Sequence, residues 1–254
     1  MSNPAILRAL FAAFVSAALL ACGLVDETPS YRYRMTVEVD TPEGLKSGSS
    51  VIEVDISRGV STANPAGSVV ISRVRGEAAA VDLPGGRTLF ALLRSEDNGD
   101  WAKNIMFILA PQGIKDGDRF LGTYANMLAM REAKELPATL GHINRALEGM
   151  SGRPMLVTFG DVSDPASVQR VDPDDLAASF GEGVSLRRIT VQMTDDPVTT
   201  GIEERLEWLP RIADAGGGLV PMVRNELGRY EAALGYDGTL VKIGVTDFTT
   251  EAYD

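Results

Sequence analysis

From Tyr31 to Asp40 apolar and polar residues alternate without a break. Tyr31, Tyr33, Met35, Val37 and Val39 stand against Arg32, Arg34, Thr36, Glu38 and Asp40. Successive strand side chains point to opposite faces, so this period of two predicts a half-buried strand. Residues 41–50, rich in Gly, Ser and Pro, read as a turn. Val51 to Ser57 predict a second strand with Ile52, Val54 and Ile56 on one face. A loop over 61–67 then leads to a third strand, Ser68 to Val74. Ala78 to Leu83 and Arg87 to Leu93 flank Pro84-Gly85-Gly86. Pro presets the first turn dihedral and Gly permits the positive φ that follows, so a hairpin is expected. The apolar run Asn104 to Ala110 reads as a further strand, giving the first half a meander of about six.

Near residue 119 the period lengthens. Phe120, Tyr124, Met127, Leu128 and Met130 approach helical spacing within Arg119 to Leu136, a helix expected to break at Pro137. Leu140 to Met150 predict a second helix and Met155 to Phe159 a strand. Asp172-Pro173-Asp174-Asp175 carries an acid at the cap, Pro at the first position and acids in the first turn of a short helix. Leu186 to Met193 alternate again, with Ile189, Val191 and Met193 together. A short helix or turn over 200–209, a loop over 213–218 and a closing strand, Leu240 to Phe248, complete the pattern. The expected fold class is α+β, a largely antiparallel sheet covered on one face by two or three helices.

Composition adds two constraints. With 254 residues, 44% hydrophobic, the chain can bury a core without disulfides or a structural metal. Its charge is strongly negative, 24 Lys and Arg against 35 Asp and Glu. A polyanion gains little from such a surface, which argues against a nucleic-acid partner. An anionic lipid surface would repel it as well, so attachment to a membrane needs a device other than charge.

The N-terminus supplies one. Ala9 to Ala21 is thirteen residues without a charge, behind Arg8 and the free amine. That is too short for a comfortable bilayer span, which takes about 20 residues, but it suits the apolar core of an export signal. Leu19-Leu20-Ala21-Cys22 follows, and Cys22 is the only cysteine. These residues resemble the lipobox of bacterial lipoproteins: an apolar residue three before the Cys, a small one directly before it, then the Cys. The resemblance covers only the first 23 residues; the rest resembles no family of known activity. It implies a cleaved signal over 1–21, a diacylated (palmitate-type) Cys22 as the new N-terminus, a tether over 22–30 and a single α+β domain over 31–254. Without Arg8 the mature chain carries 23 cations against 35 acids, a net of −12. Gly23 after the Cys, where Asp commonly marks inner-membrane retention in this class, points to the outer membrane, with the domain facing the periplasm.

Candidate chemistry is sparse. His142 is the only histidine, so a multi-histidine zinc site is excluded, and a solvated place on a helix explains it. No Gly-x-Ser-x-Gly turn is present to pair it with a nucleophile. Acidic clusters stand at Glu96, Asp97 and Asp100, at Asp116 and Asp118, at Asp172, Asp174 and Asp175, and at Asp195 and Asp196. Paired carboxylates can do acid–base work on sugars and oxygen ligands suit calcium. Capping and turn formation explain most of these clusters equally well. Asp195 and Asp196, at the end of a strand, are the candidate ligand or metal site, against the simpler reading that Asp-Pro stops the strand. Gly216, Gly217 and Gly218 precede a segment that reads as helical but lack a phosphate-binding fingerprint. No cofactor is implied. The expectation is a non-enzymatic binding or accessory lipoprotein of the cell envelope, its partners the bilayer through Cys22 and an envelope protein. A carboxylate-dependent cell-wall hydrolase is the alternative.

Overall fold

A computed structural model describes residues 28–60, 68–225, 229–233, 236 and 239–250. Residues 1–21, expected as a signal, Cys22 and the expected loop over 61–67 lie outside the described residues. The chain is α+β, and every strand pairing is antiparallel. Three sheets form among the described residues.

The largest sheet has five strands, β1 (Tyr31–Thr41), β2 (Gly44–Val60), β3 (Ser68–Arg75), β6 (Lys134–Glu135) and β9 (Ser185–Met193), in the order β3-β2-β1-β9-β6. β1 buries every second residue along its whole length, as its period of two requires. β2 starts at Gly44, well before Val51, so the turn over 41–50 shrinks to Pro42 and Glu43, with Gly44 at φ +109°. The reason lies in packing. A Cβ on Gly48 would sit 1.9 Å from the Ala80 carbonyl oxygen, so the small residues of this stretch admit a crossing strand. β2 pairs with β1 over Gly44–Val54 and with β3 over Glu53–Val60, serving two neighbours in succession.

The second sheet runs β4-β5-β7-β8, with β4 (Ala79–Leu83), β5 (Arg87–Ala91), β7 (Leu156–Phe159) and β8 (Val168–Val171). The β4–β5 hairpin turns as expected through Gly85 and Gly86, both at positive φ. This sheet is an inner layer. Leu89, Ala91 and Leu93 face a core shared with β1 and β2, while Phe90 and Leu92 face a second core. Burial on both faces is why the run reads as continuously apolar rather than alternating.

Two helices close the first core. α1 (Trp101–Leu109) replaces the strand expected over 104–110. Trp101, Ala102, Ile105 and Met106 form its buried face, the i, i+1, i+4, i+5 set of a helix; an apolar run that short is ambiguous in sequence. The Tyr33 hydroxyl donates to the Ala102 carbonyl at 2.7 Å, and burial pushes the Tyr33 and Tyr31 phenols well above their ordinary pKa. α2 (Arg119–Leu128) is capped by Asp118, whose Oδ1 accepts from the Phe120 and Leu121 N–H groups. It stops at Leu128 rather than Pro137, because Lys134–Glu135 is taken by β9 as a strand.

Over 140–150 turns and one 3-10 turn (Arg145–Leu147) replace the expected helix, since Gly141 and Gly149 interrupt it. α3 (Leu176–Phe180) begins four residues after the first acid of its cluster: Asp175 caps it through the Ala178 N–H, while Asp172 closes the preceding turn. α4 (Leu209–Asp214) holds Pro210 in its first turn, where proline is tolerated. Together with 3-10 turns at Ile202–Glu204, Leu240–Lys242 and Val245–Asp247 it covers the second core. Those last two turns stand where a closing strand was expected. The third sheet, β10 (Met222–Arg224) with β11 (Tyr230–Ala232), is an exposed ribbon where a helix was expected.

Candidate binding cleft

Two of the acidic clusters, more than seventy positions apart in sequence, meet in one cleft. Its volume is about 510 Å³, within the range of small-ligand sites. The loop over 94–100 contributes Glu96 and Asp97, the loop over 149–154 contributes Ser151 and Arg153, β8 contributes Arg170, and the turn before α3 contributes Asp172 and Asp174. Ala138, Pro154, Leu156 and Pro173 add apolar surface to the lining.

Local structure fixes each wall. The Ser95 hydroxyl donates to Asp97 Oδ1 at 2.6 Å, and the Ser151 N–H donates to Asp97 Oδ2 at 2.9 Å, stapling the first loop to the second. The Trp101 indole N–H donates to the Gly152 carbonyl at 3.1 Å. A Cβ on Gly152 would lie 2.4 Å from the Pro137 carbonyl oxygen, so only glycine fits there. Arg170 pairs with Glu96 at 2.8 Å and Arg153 with Asp174 at 3.2 Å. The cleft is therefore lined by four carboxylates and two guanidiniums, with each guanidinium drawn to one carboxylate.

Asp195 and Asp196 part company. Asp195 lines a smaller cleft of about 330 Å³ with Arg32, Glu53, Arg131 and the chain entering at Pro29 and Ser30. Asp196 instead bonds Arg34 and the Thr194 hydroxyl on the polar face of the large sheet. That face carries a lattice of ion pairs, Arg32 and Arg75 with Glu53, Arg187 with Asp40 and Arg188 with Glu38. Such exposed pairs belong to a solvated surface. Among the described residues no group of three or more His, Cys, Asp or Glu is placed to hold a metal ion.

The remaining candidates fall elsewhere. His142 is exposed in the turn after Leu140, away from any nucleophile partner among the hydrogen bonds of that loop. Gly216 and Gly217 have positive φ, and the Gly217 carbonyl accepts from the Val245 N–H at 2.8 Å, so the glycines allow close packing. Trp208 is packed in the second core with its indole N–H on the Val162 carbonyl. Burial raises the pKa of the Asp247 carboxyl, which lies beside Arg94 and outside the lining of the cleft. Sequence reasoning missed the cleft's arginines, because nothing local distinguishes Arg153 or Arg170 from the other surface cations.

Among the described residues no helix is long and apolar enough to cross a membrane. Compared with protein-family models, curated proteins and solved structures, the chain matches none.

Proposed function

We propose that this protein is a lipid-tethered envelope protein that binds a ligand or partner without transforming it. The observation that carries the reading is the lipobox-like Leu19-Leu20-Ala21-Cys22 followed at once by chain that docks on the fold. The Thr28 hydroxyl donates to the Ile56 carbonyl at 3.2 Å, and the Tyr124 hydroxyl donates to the Pro29 carbonyl at 2.6 Å. Only residues 23–27 then separate Cys22 from the anchored chain, a reach of about 20 Å at roughly 3.5 Å per residue. Two or more acyl chains, each contributing about 0.8 kcal/mol per buried methylene, hold such a domain at the bilayer despite its negative charge. Gly23 favours the outer membrane and a periplasm-facing domain.

Binding is favoured over hydrolysis by how the cleft carboxylates are engaged. Asp97 accepts two hydrogen bonds and Asp172 closes a turn, while Glu96 and Asp174 face guanidiniums. These carboxylates are engaged as charged acceptors, which suits recognition, whereas glycoside hydrolysis needs one carboxyl kept protonated as a proton donor.

The test is fractionation of the wild type and Cys22→Ala in a Gram-negative host fed radiolabelled fatty acid. The wild type alone should take up label and sediment with membranes. Label in neither protein would overturn the tether and with it the envelope reading.

A further inference from the structure

The cleft between 94–100, 149–154 and 170–174 presents both signs of charge on a rigid frame, and that combination defines a ligand class. We propose that it binds a short zwitterionic peptide: the peptide's carboxylate replaces Glu96 or Asp174 on a guanidinium, and its ammonium meets the displaced carboxylate. The proposal rests on the binding reading above.

Charge selects this class. A simple anion reaching Arg153 or Arg170 would meet Glu96, Asp97, Asp172 and Asp174 around it. A simple cation would meet the two guanidiniums, and no metal-holding group exists among the described residues. A ligand carrying one charge of each sign, about 10 Å apart in an extended tripeptide, satisfies both sets at once. An uncharged sugar would gain no charge-matched contact from these groups and would find no aromatic ring in the lining on which to stack.

Exchange at the ion pairs is cheap. Both are partly solvated, with Asp174 almost fully exposed, and pairs of this kind add little net stability. A ligand carboxylate can take over a guanidinium in the two-pronged geometry that arginine favours. Pro154, Leu156 and Pro173 in the same lining offer apolar contact for a small side chain. The frame itself is set before binding. Gly152 is wedged under the Pro137 carbonyl, the Trp101 indole holds its carbonyl, and Asp97 holds the Ser151 N–H. Little ordering therefore remains to be done when the ligand arrives.

The experiment is equilibrium dialysis of radiolabelled trialanine against the purified full-length chain in detergent micelles, repeated with N-acetyl-trialanine and trialanine amide. Free trialanine should be retained, and capping either end should weaken retention by a few-fold, the factor a partly solvated charge pair contributes. Arg170→Gln and Arg153→Gln should weaken trialanine but leave the amide's residual binding unchanged, whereas Arg170→Lys, which keeps the charge but loses the two-pronged geometry, should fall between Arg170→Gln and the wild type. Glu96→Gln and Asp174→Asn should weaken trialanine and spare the N-acetyl form. Arg211→Gln, on exposed α4, is the control and should change nothing. Near-UV circular dichroism identifies any variant that has lost its fold, and the capped peptides then carry the test on the wild type alone. No retention of trialanine, or equal retention of free and capped peptides, overturns the proposal. If the same chain still takes up fatty acid at Cys22, only the ligand assignment falls and the tether stands.

Discussion

The carboxylate of Glu77, only 2% exposed, accepts the backbone N–H of Ile202 through both oxygens at 3.1 Å, across 125 positions of sequence. Glu77 follows β3 and precedes the inner sheet, and Ile202 opens the segment that covers the second core. One side chain thus fastens that cover to the sheet layers. Truncating it leaves a buried N–H without its acceptor, which costs about 1–3 kcal/mol, more when a charged group is lost. Glu77→Ala should therefore lower the urea midpoint clearly, and Glu77→Gln, which keeps one oxygen, by less. Equal midpoints for wild type and Glu77→Ala would refute this role.

A second buried carboxylate gives the fold a pH signature. Burial raises the pKa of Asp247, and its Gly244 N–H bond and the Arg94 guanidinium at 3.7 Å only partly oppose that. A carboxyl whose folded pKa lies above its unfolded value, near 3.8, adds stability that is fully present below that value. The contribution is lost as pH rises through the folded pKa. Asp82 has the opposite sign: the bidentate Arg205 lowers its pKa, so its contribution is present above 3.8 and lost as pH falls further. Unfolding free energies measured from pH 3 to 7 should show Asp247→Asn losing ground to wild type on acidification toward 4. Asp82→Asn should differ in its pH slope only below that. A pH-independent gap between wild type and Asp247→Asn would contradict the assignment.

How much of this was legible in the sequence depends on whether one face or two are buried. β1 and β9 each bury one face, so their alternation was readable and their elements lie where expected. Residues 105–110 are an unbroken apolar run with no period to read, and their helix shows only in the buried face of Trp101, Ala102, Ile105 and Met106. The cluster at 172–175 was readable as capping a short helix, because a cap is a local device, though Asp175 rather than Asp172 does it; Asp118, expected only in a turn, caps α2. The meeting of Glu96 with Arg170 spans 74 positions and leaves no local trace.

Gly48 is the sharpest example of a non-local constraint with a local disguise. It looked like turn composition, yet it sits in the middle of β2 where β4 crosses. Alanine there would bring its methyl to within 1.9 Å of the Ala80 carbonyl oxygen, a backbone atom that cannot swing aside. Overpacking of this kind costs about 1–3 kcal/mol or more. Gly48→Ala should lower thermal stability by several degrees or prevent folding, while Gly99→Ala, with nothing within 4 Å of the new methyl, should be close to neutral. A neutral Gly48→Ala would mean that the two sheets are farther apart than described.

The ion pairs of the cleft allow the binding role to be separated from a structural one. If Arg170–Glu96 and Arg153–Asp174 served the fold, removing a partner should destabilise it as removing a buried charge does, by about 3–5 kcal/mol. Their partial solvation predicts instead a loss below about 1 kcal/mol for each of Arg170→Gln and Glu96→Gln. The double variant should fall near the sum, since the coupling of a solvated pair is small. Salt should erase what difference remains, because charges in contact with water are screened over roughly 8–10 Å at ordinary ionic strength. Urea unfolding of the four proteins at low and high salt measures all of this. Losses above about 3 kcal/mol that persist in high salt would make the pairs structural, and the cleft a closed seam rather than a place for a ligand.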